Sequence, residues 1–112
     1  MKLRTLFLGA CAATLLVACG EPVPAAKTAY VGEWQASTMR LSITQDGTVR
    51  YKRANDNVTT EVNGPLQGFK GDNFDVGIGP MRTTFVVTVP PHQVGTTVKM
   101  VVDGVELSKV AQ

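Results

Sequence analysis

The chain has 112 residues, room for one small domain, with 11 basic residues against 9 acidic ones and two cysteines. Two of the cations, Lys2 and Arg4, stand at the extreme N-terminus, so the remaining 9 basic residues balance the 9 acidic ones. A formally neutral domain lacks the cationic excess that nucleic-acid binding draws on, and that partner class is set aside.

Residues 1–18 divide by physical task. After Lys2 and Arg4, the stretch from Leu6 to Ala18 is uncharged and mostly apolar, interrupted only by Thr14. As a helix it reaches about 20 Å, short of the roughly 30 Å hydrocarbon core, so it predicts a secretory leader rather than a membrane span. Cys19 follows at once, behind two small steps of apolar chain.

Leu16-Val17-Ala18-Cys19 resembles the lipobox of bacterial lipoprotein precursors. The resemblance implies that residues 1–18 are removed, that the Cys19 sulfur carries diacylglycerol, and that its new amino group is acylated. A thiolate is the most nucleophilic ordinary side chain, and small neighbours let an enzyme approach it. The resemblance also implies, through Gly20 as second mature residue, an outer-membrane location facing the periplasm. Cys11 would leave with the leader and Cys19 be consumed as a thioether, so no disulfide is expected. The other reading is a plain secreted protein, cut after Ala25 or Ala26, in which Cys19 is incidental. The mature segment as a whole resembles small proteobacterial lipoproteins, which brings no activity with it.

Residues 19–29 predict a lipidated cysteine and a Pro/Ala tether, because Pro22 and Pro24 favour extended chain and the alanines offer little to a core. From Tyr30 to the end the periodicity is two, and residues 30–112 predict an all-β domain. A first strand lies near Trp34. In "MRLSITQDGTVRYKR" a three-residue loop, Gln45-Asp46-Gly47, pairs Ile43 with Val49 and Leu41 with Tyr51, keeping apolar side chains on one face. Gly47 takes the left-handed position of that loop. Further strands are expected at Val58–Val62, Leu66–Phe69, Phe74–Ile78 and Thr84–Val89. Asn63-Gly64-Pro65, Gly71-Asp72-Asn73, Gly79-Pro80 and Pro90-Pro91 punctuate them. In the last hairpin a two-residue Asp103-Gly104 turn pairs Val102 with Val105 and Met100 with Leu107.

About eight short strands at this spacing predict an antiparallel meander closed into a small barrel or folded into a sandwich. Its expected core is Met39, Leu41, Ile43, Val49, Tyr51, Phe74, Val76, Phe85, Val87, Met100 and Leu107. Gly32-Glu33-Trp34, followed by an alternating strand and Asp46-Gly47, resembles the opening of lipocalin-like domains. That resemblance implies a tryptophan closing one barrel end; the chain lacks the later motifs of a full lipocalin.

Chemistry-bearing residues are sparse. His92 follows Pro90-Pro91 in an expected loop with no partner for a relay or a metal, and Ser37, Ser42 and Ser108 lie outside nucleophile-elbow sequences. Asp72 and Asp75 lack the ligand ladder of a calcium loop, and the glycines of "DVGIGP" precede no phosphate-binding Lys-Ser or Lys-Thr. Asn57-Val58-Thr59 matches a glycosylation acceptor by chance composition. No catalytic residue, metal or cofactor is expected. Arg40, Arg50 and Lys52 share the outward face of the first hairpin, with Arg53 at its end and no acidic residue opposite. They predict either an anion-binding strip or a charged edge that discourages strand addition. The sequence therefore supports a membrane-anchored, non-enzymatic β domain that meets an envelope protein or an anionic envelope component. A lipocalin-like carrier of a small apolar ligand is the alternative.

Overall fold

The computed structural model describes residues 20–111. The leader, the lipobox and Cys19 lie outside the described residues. A 3-10 helix, Ala25–Tyr30, precedes nine strands: β1 Gly32–Gln35, β2 Met39–Ile43, β3 Thr48–Asn55, β4 Val58–Lys70, β5 Asn73–Ile78, β6 Met81–Phe85, β7 Val87–Val94, β8 Thr97–Val102 and β9 Val105–Lys109. All pairings are antiparallel, in the order β6-β5-β4-β3-β2-β1-β9-β8-β7, and the sheet curls into a half-barrel. Between barrel and sandwich, the single curled sheet decides for the barrel-like form.

Both hairpins take the register that keeps the faces apart. Ile43 pairs with Val49 and Leu41 with Tyr51, while Val102 pairs with Val105 and Met100 with Leu107. Gly47 has φ +90°, and Asp103 and Gly104 have φ +48° and +80°, as a tight primed turn requires. All eleven expected core side chains are buried, joined by Val23, Tyr30, Trp34, Leu66 and Val102. Each fully buried Leu, Val or Phe contributes about 1.5–3 kcal/mol of transfer free energy. The aromatic members touch one another: the rings of Phe74 and Phe85 stack at 5.1 Å and Tyr51 lies 4.8 Å from Phe85.

Four expectations are corrected. Asn63-Gly64-Pro65 is no turn but the middle of β4, a 13-residue strand. Pairing with β3 ends at Thr48↔Pro65 and pairing with β5 begins at Leu66↔Val76. A residue without an N–H is tolerated where one ladder hands over to the next. Conversely, the expected strand over Thr84–Val89 is broken at Val86, where the chain passes from one edge of the sheet to the other. Val86 donates its N–H to Asp103 Oδ1 at 2.9 Å and accepts from the Asp103 N–H at 2.8 Å. Val87 N–H reaches Asn73 Oδ1 at 2.8 Å, tying β7 to the start of β5. Pro90 and Pro91 lie within β7, an edge strand, at a register irregularity between Val89 and His92. Edge strands are where proline costs no ladder bond.

The fourth correction concerns the tether. Residues 20–30 are docked: Glu21 N–H donates to Leu66 O and Val23 N–H to Gln45 O, both at 3.0 Å. Val23 and Tyr30 are each 3% exposed. The prolines do keep Pro24 extended, with ψ 156°, but β4 runs past the end of β3 and offers free backbone groups that this segment satisfies. The 3-10 helix then covers the end of the half-barrel. Trp34 lies beneath it, 1% exposed, its indole N–H donating to Tyr30 O at 2.9 Å.

Candidate functional site

Strand alternation builds the outer face of β1–β4. Arg40 stands directly across from Lys52 and Ser42 across from Arg50, with Glu33 beside Ser42 on β1, and Asn63 and Glu61 beside Arg50 and Lys52 on β4. Directly opposed side chains start about 5 Å apart and diagonal ones about 7–8 Å apart, so Arg40, Arg50 and Lys52 form one patch. A shallow depression of about 350 Å³ runs over it.

The patch is less uniformly cationic than the sequence predicts. Acidic residues do face it, because the neighbouring strands place Glu33 and Glu61 in register with the hairpin. Ser42 Oγ donates to Glu33 Oε2 at 2.6 Å, and Lys52 Nζ stands 3.8 Å from Glu61 Oε1. With both partners solvated, the Lys52–Glu61 pair contributes about 0–1 kcal/mol and leaves the lysine open to competition. Among the described residues, Arg40 and Arg50 have no carboxylate oxygen within ion-pair distance. An incoming anion therefore meets two guanidinium groups and one weakly held ammonium.

Arg53 does not belong to this patch. It pairs with Met39 on one side and Thr60 on the other, on the inner face with buried Tyr51 and Val49. Its Nε is buried with no hydrogen-bond partner. The period of two puts residue 53 opposite residue 52, so the parity of the strand already carried this result.

The other polar residues singled out in the sequence lie outside this depression. His92 is in the β7 ladder opposite Lys99 rather than in a loop, exposed, with Nδ1 3.0 Å from Pro90 O. Ser37 is in the β1–β2 turn, and Ser108 pairs with Gln35 and Lys99. Asp75 is 7% exposed, accepts from Thr84 Oγ1 at 2.6 Å and lies 3.5 Å from Arg82. It braces β5 against β6. Asp72 meets Lys27 at 3.6 Å and accepts the Tyr30 hydroxyl through its carbonyl at 2.9 Å. Burial, then the Asp72 charge, push that hydroxyl up to about 12. Asn57 lies in the exposed β3–β4 turn. Among the described residues no group of three His, Cys, Asp or Glu could hold a metal ion, and no helix is long and apolar enough to cross a membrane.

Two features escape the sequence. One is the docked segment. Lys109 helps hold it, donating to Ala29 O at 2.8 Å with its ammonium 5.0 Å over the Trp34 ring; burial lowers its pKa. The other is an apolar groove of about 430 Å³ at the open rim of the inner face, lined by Val62, Val76, Ile78 and Met81 among others. Ile78 and Met81 are 72% and 78% exposed. They share the inward face with Phe74 and Phe85, but the core ends before reaching them.

No family model matches the chain, and no curated protein or solved structure does so either.

Proposed function

We propose that this protein is a bacterial envelope lipoprotein, held by acyl chains on Cys19, whose β domain is a non-enzymatic interaction module. The observation that carries the reading is Leu16-Val17-Ala18-Cys19 at the end of a charged start and a short apolar run. One acyl chain binds a bilayer only marginally, whereas the two or three chains of such an anchor hold it permanently. The outer membrane, with the domain in the periplasm, is the location that Gly20 favours. The Arg40, Arg50 and Lys52 patch is the surface offered to an anionic envelope component or an acidic protein.

Cys19→Ser tests the anchor. Fatty-acid label should vanish and the apparent mass should rise by about 2 kDa, the leader at ~110 Da per residue. A wild-type protein of mature size, unlabelled and soluble, would overturn the reading.

A second reading, a carrier of a small apolar ligand, has the rim groove at Ile78 and Met81 in its favour. Against it, the inner face is filled by Trp34, Phe74, Phe85, Met100 and Leu107, each no more than 1% exposed. Saturable binding of an apolar fluorescent probe, abolished by Met81→Asp, would support the carrier; weak unsaturable binding would remove it.

A further inference from the structure

As free spacer, the ten residues between Cys19 and Tyr30 would let the domain stand up to about 35 Å from its anchor. They are instead tied along their whole length. Besides the two backbone bonds from Glu21 and Val23, Gln45 Nε2 donates to Val23 O at 2.7 Å, and Lys27 and Tyr30 both engage Asp72. The start of the segment leaves no room for a side chain. Gly20 lies over the hydrogen bond from Leu66 N–H to Gly47 O, 2.7 Å long. A Cβ on Gly20 would overlap Gly47 O and come within 2.9 Å of Pro65 Cβ, and a Cβ on Gly47 would overlap Glu21 O. Two glycines from distant parts of the chain thus permit one backbone-to-backbone contact.

This contact fixes the side from which the anchor leaves. Pro65 pairs with Thr48 and continues the outward row formed by Lys52 with Glu61 and Arg50 with Asn63. Gly20 abuts Pro65, so it stands at the end of the charged outer face. Cys19 precedes Gly20 in the chain, so the proposed anchor joins the domain at this end. From Thr48, Arg50 is about 7 Å along β3 and Lys52 about 14 Å, at ~3.4 Å per residue.

We infer that Gly20–Tyr30 is a strap, not a spacer, and that it lays Arg40, Arg50 and Lys52 on the anionic phospholipid headgroups of the leaflet holding the anchor. The inference rests on the lipid-anchor reading. Of the three, Arg50 starts nearest the strap end, and each cation brought within a Debye length of about 8–10 Å of the headgroups strengthens attachment by about fivefold. Glu33 keeps its charge under the Ser42 bond and Glu61 offsets Lys52, so Arg40 and Arg50, which have no ion pair among the described residues, carry the attraction. Glu21 and Asp46 are exposed near the anchor end, so attraction comes from the arginine side and tilts the domain onto its face rather than onto the β2–β3 loop.

The test uses the lipidated protein in vesicles of phosphatidylcholine, with and without phosphatidylglycerol. With the Cys19 thiol consumed, a cysteine introduced by Thr48→Cys or Val94→Cys is the one labelling site of the mature chain. Val94 ends β7, five places from β3 in the sheet order. A fluorophore at 48 should be quenched several-fold more than one at 94 by headgroup nitroxides, and phosphatidylglycerol should widen the difference. Reversing all three charges, R40E/R50E/K52E, should remove that widening. Gly20→Val, which dislodges the strap, should equalise the two sites and let trypsin cut at Lys27, releasing the domain at least tenfold faster than wild type, as expected when a protected segment opens. Equal quenching at 48 and 94 in the wild type, or equally fast release, overturns the strap. Unequal quenching indifferent to phosphatidylglycerol overturns the headgroup contact. A wild-type protein that carries no fatty-acid label and fails to float with vesicles overturns the anchor itself, and a strap for it.

Discussion

Asp46-Gly47 and Asp103-Gly104 are the same dipeptide at the tips of two hairpins, yet one is a buried platform and the other a free end. Gly47 is buried under Gly20 and Glu21, and a Cβ there would overlap Glu21 O. Gly104 is exposed, with nothing within 4 Å of the corresponding position. Both have positive φ, so the turn chemistry explains each in the same way. Local geometry selects the residue; the rest of the fold decides what rests on it. Their aspartates diverge in turn, Asp46 bonding within its own loop and Asp103 reaching across to Val86.

Alanine at each glycine is the sharpest way to break this comparison. Gly104→Ala meets only the strain of a left-handed residue, about 1 kcal/mol. Gly47→Ala carries that strain and must also displace the strap, exposing Val23, which adds about 1.5–3 kcal/mol. Urea midpoints should therefore fall markedly further for Gly47→Ala. Equal losses would mean that the docked segment contributes nothing to stability.

Asp103→Ala should cost about 1–2 kcal/mol by leaving the Val86 N–H without its acceptor. Because Val86 joins the two edges of the sheet, amide exchange at Val86 and Val87 should accelerate in this variant. Unchanged exchange there would show that the edges are held by packing alone.

Residues in alternating strands were legible because burial follows parity. Every expected core residue is buried, and Arg40, Arg50 and Lys52 do share one face. The same parity puts Arg53 on the inner face with Tyr51 and Val49. What could not be read were features set by partners distant in sequence. Pro65 looked like punctuation because its tolerance depends on β3 ending where β5 begins. Glu33 and Glu61 came to the patch only through the register of β1 and β4. The Pro/Ala segment looked free because Val23 is a single apolar residue with no period, and its place was made by Gln45, Leu66 and Gly47.

The strap end should also respond to alkali. The folded state holds the Tyr30 proton more tightly than the unfolded chain, since its pKa rises from 10.0 to about 12. The stabilisation is complete below pH 10 and is lost as pH rises towards about 12. Tyr30→Phe gives up the bond to Asp72 O, about 1 kcal/mol at neutral pH, but should flatten that alkaline decline. A decline of the same steepness in the variant would assign it to other groups.

The smallest effect separates the aspartates in acid. The Thr44 hydroxyl above all, against an opposing desolvation and with smaller help from Thr48, holds the Asp46 carboxyl below its ordinary value of 3.8. A depressed folded pKa stabilises above the unfolded value and is lost as pH falls through the folded one. Asp46→Asn should therefore remove a shallow acid slope below pH 4 that Thr44→Val also removes, since both delete the same bond within the loop. Being fully solvent-exposed, this contribution is screened by salt, so the slope should be shallower at high ionic strength. A slope that survives both substitutions would assign it to other carboxylates and leave the Asp46 bond without a part in acid stability.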